Sequence, residues 1–153
     1  MKQGGYLVLI LVALALLLAL ALTGCGPKQP DRALILWEQP APEIAARAHA
    51  REIGGLPYHV VGRSMEPFLV EGDWIAADAR IPFSSLQKGD VIVYQPDWYT
   101  GLVVHMVAAK SGEGWIMDGV NNAHYEGAAN NAHVFKQHYR AKMVQGYTRR
   151  SKA

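Results

Sequence analysis

The chain has 153 residues, half of them hydrophobic, with a formal net charge of +2 and one cysteine. That length suits one domain with a core of its own. Fifteen basic against thirteen acidic side chains leave no electrostatic argument for nucleic acid, and a single cysteine excludes an internal disulfide.

Residues 7–22 (LVLILVALALLLALAL) form an unbroken apolar run of 16, and no charge occurs between Lys2 and Lys28. A run of that length fits a signal-peptide core or a short membrane anchor. The following Leu22-Thr23-Gly24-Cys25 resembles a bacterial lipobox, in which small residues precede a cysteine that is lipidated and becomes the new N-terminus. The alternative is an uncleaved signal anchor with an incidental cysteine. Both readings put the remaining chain outside the cytoplasm and tethered to a membrane, in a bacterial periplasm or at the cell surface. Residues 1–24 are thus read as the export segment, 25–40 as a spacer carrying Pro27 and Pro30, and 41–153 as the folded domain.

Residues 41–53 (APEIAARAHAREI) combine Pro42 near the start, several alanines, and Ile44, Ala48 and Ile53 at roughly helical spacing. Gly54-Gly55 ends the pattern, which predicts one short helix with His49 on its surface. From Leu56 onward, short apolar runs alternate with turn residues, the mark of a mainly β domain. The expected strands are 58–61, 74–77, 91–94, 102–109, 114–118 and 140–147. Lys88-Gly89-Asp90 and Ser111-Gly112-Glu113-Gly114 supply turns between them. Residues 121–133, with Gly127 and two Asn-Asn pairs, read as a long loop, and long loops in compact domains are often functional. Arg149-Arg150-Ser151-Lys152 reads as a solvated tail.

Residues 61–73 (VGRSMEPFLVEGD) place Ser64 after a Gly62-Arg63 step and three residues before Pro67. Proline fixes its own φ, lacks an N–H and disfavours a helical residue before it, which argues against Ser64 lying in mid-helix. Gly62 leaves room for another backbone to approach. A serine at such a junction is a candidate nucleophile and, on these terms alone, equally a turn residue.

A serine hydroxyl needs a base within hydrogen-bond reach before it attacks a carbonyl. His105 interrupts the most hydrophobic strand, L-V-V-H-M-V-A-A, and shares its face with Val103 and Val107. Lys110 competes for the role, but an ordinary lysine is protonated at neutral pH and needs burial to become a base. It ends the strand beside Ser111-Gly112, with parity opposite to His105, and reads as a solvated turn residue. Histidine needs no such shift. His124, His133 and His138 match no zinc spacing and read as surface residues; no metal or other cofactor is expected.

Four blocks in order, G-R-S-M-E-P-F-L-V-E-G-D, K-G-D-V-I-V-Y, V-V-H-M-V and D-G-V-N-N, resemble the type I signal peptidase superfamily across about residues 58–147. The resemblance implies a signal-peptidase-like β-fold in 41–153, with Ser64 as nucleophile. Most bacterial members have a lysine base where this chain has His105. The histidine here is similar to the endoplasmic-reticulum and archaeal branch and makes His105 the implied base. Two departures stand out: Val120 occupies the place of the usual aspartate, and Gly62 that of a second hydroxyl donor. Histidine-type members also carry an acidic pair further on, which falls on Tyr125 and Glu126. Glu126 and Asp118 are therefore the two candidates for a carboxylate orienting His105, as in Ser-His-acid triads. The backbone N–H of Ser64 is the expected oxyanion donor.

The implied protein is a membrane-tethered serine endopeptidase that cleaves leader peptides of exported preproteins. Its substrate would lie extended along Val60, Val61 and Gly62, with Met65 beneath the serine turn. Two alternatives belong to other classes. One is a lipoprotein that keeps the fold but only binds extended peptides. The other is a self-cleaving repressor, disfavoured because an export segment stands where such proteins carry a DNA-binding domain.

Overall fold

The computed structural model describes residues 36–121 and 133–149. Cys25, Glu126 and the apolar run 7–22 lie outside the described residues, as does most of the expected 121–133 loop. Among the described residues, no helix is long and apolar enough to cross a membrane.

The fold is mainly β. Strand β1 (Leu36–Glu38) precedes the single α-helix, α1 (Pro42–Glu52). Strands β2 (Leu56–His59), β3 (Trp74–Asp78), β4 (Val91–Tyr94), β5 (Val103–Ser111), β6 (Gly114–Asp118), β7 (His133–Val134) and β8 (Tyr139–Thr148) follow. They form one sheet in the order β2-β3-β8-β4-β5-β6-β7, every pair antiparallel. β1 joins β8 in parallel. The long β8 pairs with β4 through its first residues and with β3 through its later ones, so it joins the two halves of the sheet.

Two short strands fall where the sequence reads otherwise. β1 lies inside the 25–40 stretch expected to be a spacer, and β7 closes the stretch expected to be a loop. Segments of three and two residues show no periodicity of their own; a partner's open edge makes them strands. In β1, Trp37 also packs edge-on against Tyr147.

The helix buries its proline and two alanines rather than Ile44. Pro42, Ala46 and Ala50 are buried, whereas Ile44 is 70% exposed. Residues four apart share a helix face, and the small side chains let α1 lie close to Ala76 and Tyr147 of the sheet. His49 is half-buried and hydrogen-bonds the Tyr147 hydroxyl. Gly55 follows the helix where a Cβ would meet the carbonyl oxygen of Ala77, so only glycine fits.

β4, the apolar run V-I-V-Y, is buried on both faces and divides the core by alternation. Val91 and Val93 pack with Val60, Met65, Leu69, Ile75 and Met106 on one side. Ile92 and Tyr94 pack with Leu86, Val107, Trp115, Met117 and Val134 on the other. Asp90 fixes the entry to β4. Its carboxylate accepts the Gln87 N–H at 2.8 Å and meets Lys142 Nζ at 2.8 Å. The residues flanking Ser64 thus lie over one half of the core, and the strand carrying His105 passes beside it.

Candidate active site

The serine turn is a loop with stitched ends. Val60 N–H donates to the Asp73 carbonyl at 2.9 Å, and Gly72 N–H donates to the Val60 carbonyl at 3.1 Å. The buried Asp73 carboxylate accepts the Val70 N–H at 2.9 Å. Met65 and Leu69 are pegs into the core, 2% and 0% exposed, and leave Ser64 half-buried between them and solvent. Gly62 has φ +91° and open space where a Cβ would stand. Its role is conformational: it turns the chain in a region closed to most side chains.

Asn121 holds the backbone around Ser64 from the far side. Its N–H donates to the Ser64 carbonyl at 2.8 Å, and its Nδ2 donates to the Arg63 carbonyl at 3.0 Å. The preceding Val120 packs against the core cluster that contains Met65. Where the family resemblance expects an aspartate, this chain uses an apolar contact.

His105 is 6% exposed and projects from β5 toward Ser64, its Nε2 lying 3.1 Å from the Ser64 Oγ. Its Nδ1 lies 3.1 Å from the hydroxyl of Tyr94, which is fully buried. Cross-strand pairing sets His105 opposite Ile92, which makes Tyr94 its diagonal neighbour on the same face and within reach of a tyrosine ring. Burial pushes the His105 pKa down to about 4 and the Tyr94 hydroxyl well above its usual value. Both groups are therefore neutral at physiological pH.

Ser64 and His105, separated by 41 positions in sequence, are thus in hydrogen-bond contact. Val60, Val61, Gly62 and Met65 join Ser64 in lining one groove of about 470 Å³. Asp118 is not brought to His105. It pairs with Met106, the next residue along β5, and by alternation leaves the sheet on the opposite face. Lys110 is exposed at the end of β5, its Nζ 5.5 Å from the centre of the Trp115 ring. His138, expected at the surface, is buried; its Nδ1 accepts the Phe135 N–H and its Nε2 faces the Asp97 carboxylate at 3.0 Å. Among the described residues no three His, Cys, Asp or Glu side chains cluster to hold a metal.

The groove also takes in residues that sequence reasoning passed over: Tyr99, Leu102, Val103 and Val104. Tyr94 and Asn121 were likewise unassigned, although both sit in the sequence blocks that contain the K-G-D and N-N signals. The groove is lined mostly by apolar side chains together with backbone, and among the described residues it has two open backbone edges. Among the described residues, Val61 and Gly62 use neither N–H nor C=O in a hydrogen bond. β5 pairs with β6 only from Met106 onward, so, among the described residues, 103–105 have no strand partner on the side away from β4. The Ser64 N–H also donates to no acceptor among the described residues.

Compared with known proteins, the chain matches no family model, no curated protein and no solved structure.

Proposed function

We propose that this chain is a membrane-tethered serine endopeptidase that cleaves extended leader segments of exported preproteins. The observation that carries the reading is the 3.1 Å contact between Ser64 Oγ and His105 Nε2, on a groove whose backbone edges are unpaired among the described residues. A nucleophile and its base within hydrogen-bond reach are the minimum for acyl transfer. An extended peptide entering the groove can add backbone hydrogen bonds to Val61 and Gly62 on one side and to residues 103–105 on the other. Its side chains then meet Tyr99, Leu102 and Val104, which favours apolar and small residues.

In this reading Ser64 Oγ attacks the peptide carbonyl carbon as its proton passes to His105 Nε2. The oxygen of the tetrahedral intermediate takes the free Ser64 N–H. His105 returns the proton to the leaving amine as the C–N bond breaks. Water then attacks the acyl-serine, again giving its proton to His105, and the freed serine and carboxylic acid complete the cycle. Burial serves the first step by keeping the imidazole unprotonated.

The test is cleavage of a leader-peptide substrate by wild type, Ser64→Ala, His105→Ala and Lys110→Ala. Ser64→Ala and His105→Ala are expected to lower kcat by about a thousandfold or more, with Lys110→Ala nearly unchanged. Activity that survives His105→Ala and disappears in Lys110→Ala overturns the base assignment. For the anchor, lipid labelling of wild type against Cys25→Ser separates a lipoprotein from a signal anchor.

A second reading, a lipoprotein that only binds extended peptides, draws on the uncharged surroundings of His105. The imidazolium that forms during attack has no carboxylate beside it among the described residues. A serine-directed covalent probe decides between the two: labelling at Ser64 requires an activated hydroxyl.

A further inference from the structure

We propose that Tyr94 is the positioning residue for His105, taking the Nδ1 side where Ser-His-acid triads have a carboxylate. The inference rests on the peptidase reading above and names the third member of its site. The Tyr94 hydroxyl is 3.1 Å from Nδ1, and His105 is the one hydrogen-bond partner it has among the described residues. His105 in turn uses its two ring nitrogens on Tyr94 and Ser64 alone. Both side chains are closed off from solvent, so each fixes what the other can do.

A tyrosine hydroxyl differs from a carboxylate in one respect that matters here: it both donates and accepts. Where Nδ1 carries no proton, the hydroxyl donates to it and the ring proton lies on Nε2, directed at Ser64. Nε2 in that tautomer cannot take the serine proton. The base-competent tautomer carries its proton on Nδ1, with the Tyr94 oxygen accepting it. The same oxygen accepts the Nδ1 proton of the imidazolium formed during attack. Tyr94 therefore suits either tautomer, donating to a bare Nδ1 or, with its hydroxyl turned about the C–O bond, accepting from a protonated one. It stays neutral throughout, because burial opposes its ionisation.

Phenylalanine at position 94 keeps the ring volume and removes only the hydroxyl, leaving the Nδ1 proton of the imidazolium buried without an acceptor. In Tyr94→Phe, kcat on a leader peptide is expected to fall by about tenfold to a hundredfold with KM within about twofold. The acid limb of the kcat profile is expected to shift as well, which a purely structural defect does not produce. Nitrogen NMR of the His105 side chain gives a readout independent of turnover: the Nδ1 resonance should move in Tyr94→Phe while thermal unfolding shows the fold retained. An unmoved Nδ1 resonance overturns the contact. A moved resonance with unchanged kcat and pH profile overturns the positioning role. A wild type that cleaves nothing overturns the peptidase reading and the positioning role together, and the NMR comparison then separately reports whether Tyr94 sets the tautomer.

Discussion

Asn121 grips the backbone on both sides of the Ser64 α-carbon, its N–H on the Ser64 carbonyl at 2.8 Å and its Nδ2 on the Arg63 carbonyl at 3.0 Å. These two bonds tie the serine turn to the end of β6, which pairs with the strand carrying His105. Ser64 and His105 thus share a scaffold although they belong to different segments.

Replacing Asn121 by Asp keeps the shape and removes the amide donor. The cost in stability is expected at about 0.5–1.5 kcal/mol, since the Arg63 carbonyl can turn to water. Catalysis suffers more, because a small displacement of Ser64 spoils its approach to His105. Denaturant unfolding and kcat measured on Asn121→Asp and Asn121→Ala check this: equal losses in the two identify the donor as the cause.

The depressed pKa of His105 predicts how stability depends on pH. Above about 6.5 the imidazole is neutral in both folded and unfolded chains and contributes no slope. Below 6.5 the unfolded chain takes up a proton that the folded one refuses until pH about 4. Stability therefore falls with pH through that window, by up to about 1.4 kcal/mol per unit. His105→Gln should flatten this part of the stability curve. In kinetics, the acid limb of kcat/KM is expected near pH 4 rather than 6.5.

Gly62→Ala tests the turn. No atom crowds the added methyl, so the cost comes from the positive φ of +91° alone, about 1–2 kcal/mol. Thermal unfolding should drop by several degrees. Because Ser64 is two residues further on, activity at a temperature where the variant is fully folded should fall too. Loss of stability with full activity shows that the turn and the nucleophile are independent.

Tyr99 and Leu102 line the groove, 49% and 47% exposed, and support little of the core. Tyr99→Ala and Leu102→Ala are expected to raise KM for an extended peptide about threefold to tenfold, with kcat and unfolding nearly unchanged. A matching fall in kcat places these side chains nearer the reacting carbonyl than the groove walls suggest.

Much of the fold was legible in the order of the residues. The runs at 91–94 and 114–118 coincide with β4 and β6, and the helix differs by a residue at each end. These segments carry their own pattern: a continuous apolar run, an apolar stretch begun by a tight turn, and alanines after a proline and before two glycines. β1 and β7 were not legible, because their strand character comes from the edges of β8 and β6. In α1, Ala46 and Ala50 rather than Ile44 face Ala76 and Tyr147, because small side chains let the helix approach closely, while Ile53 packs at the rim of the same cluster.

At the site, sequence alone selected the chemical types. Pro67 and Gly62 marked Ser64 as standing in a turn, and an apolar strand with one ionisable residue marked His105. Residue preferences of that kind act over a few neighbouring positions, so they survive in the linear text. The tertiary structure decided the distances and the partners: Ser64 against His105, Asn121 around the serine backbone, and Tyr94 rather than Asp118 beside Nδ1. Those relations depend on strand register, in which a shift of one residue sends every side chain to the other face.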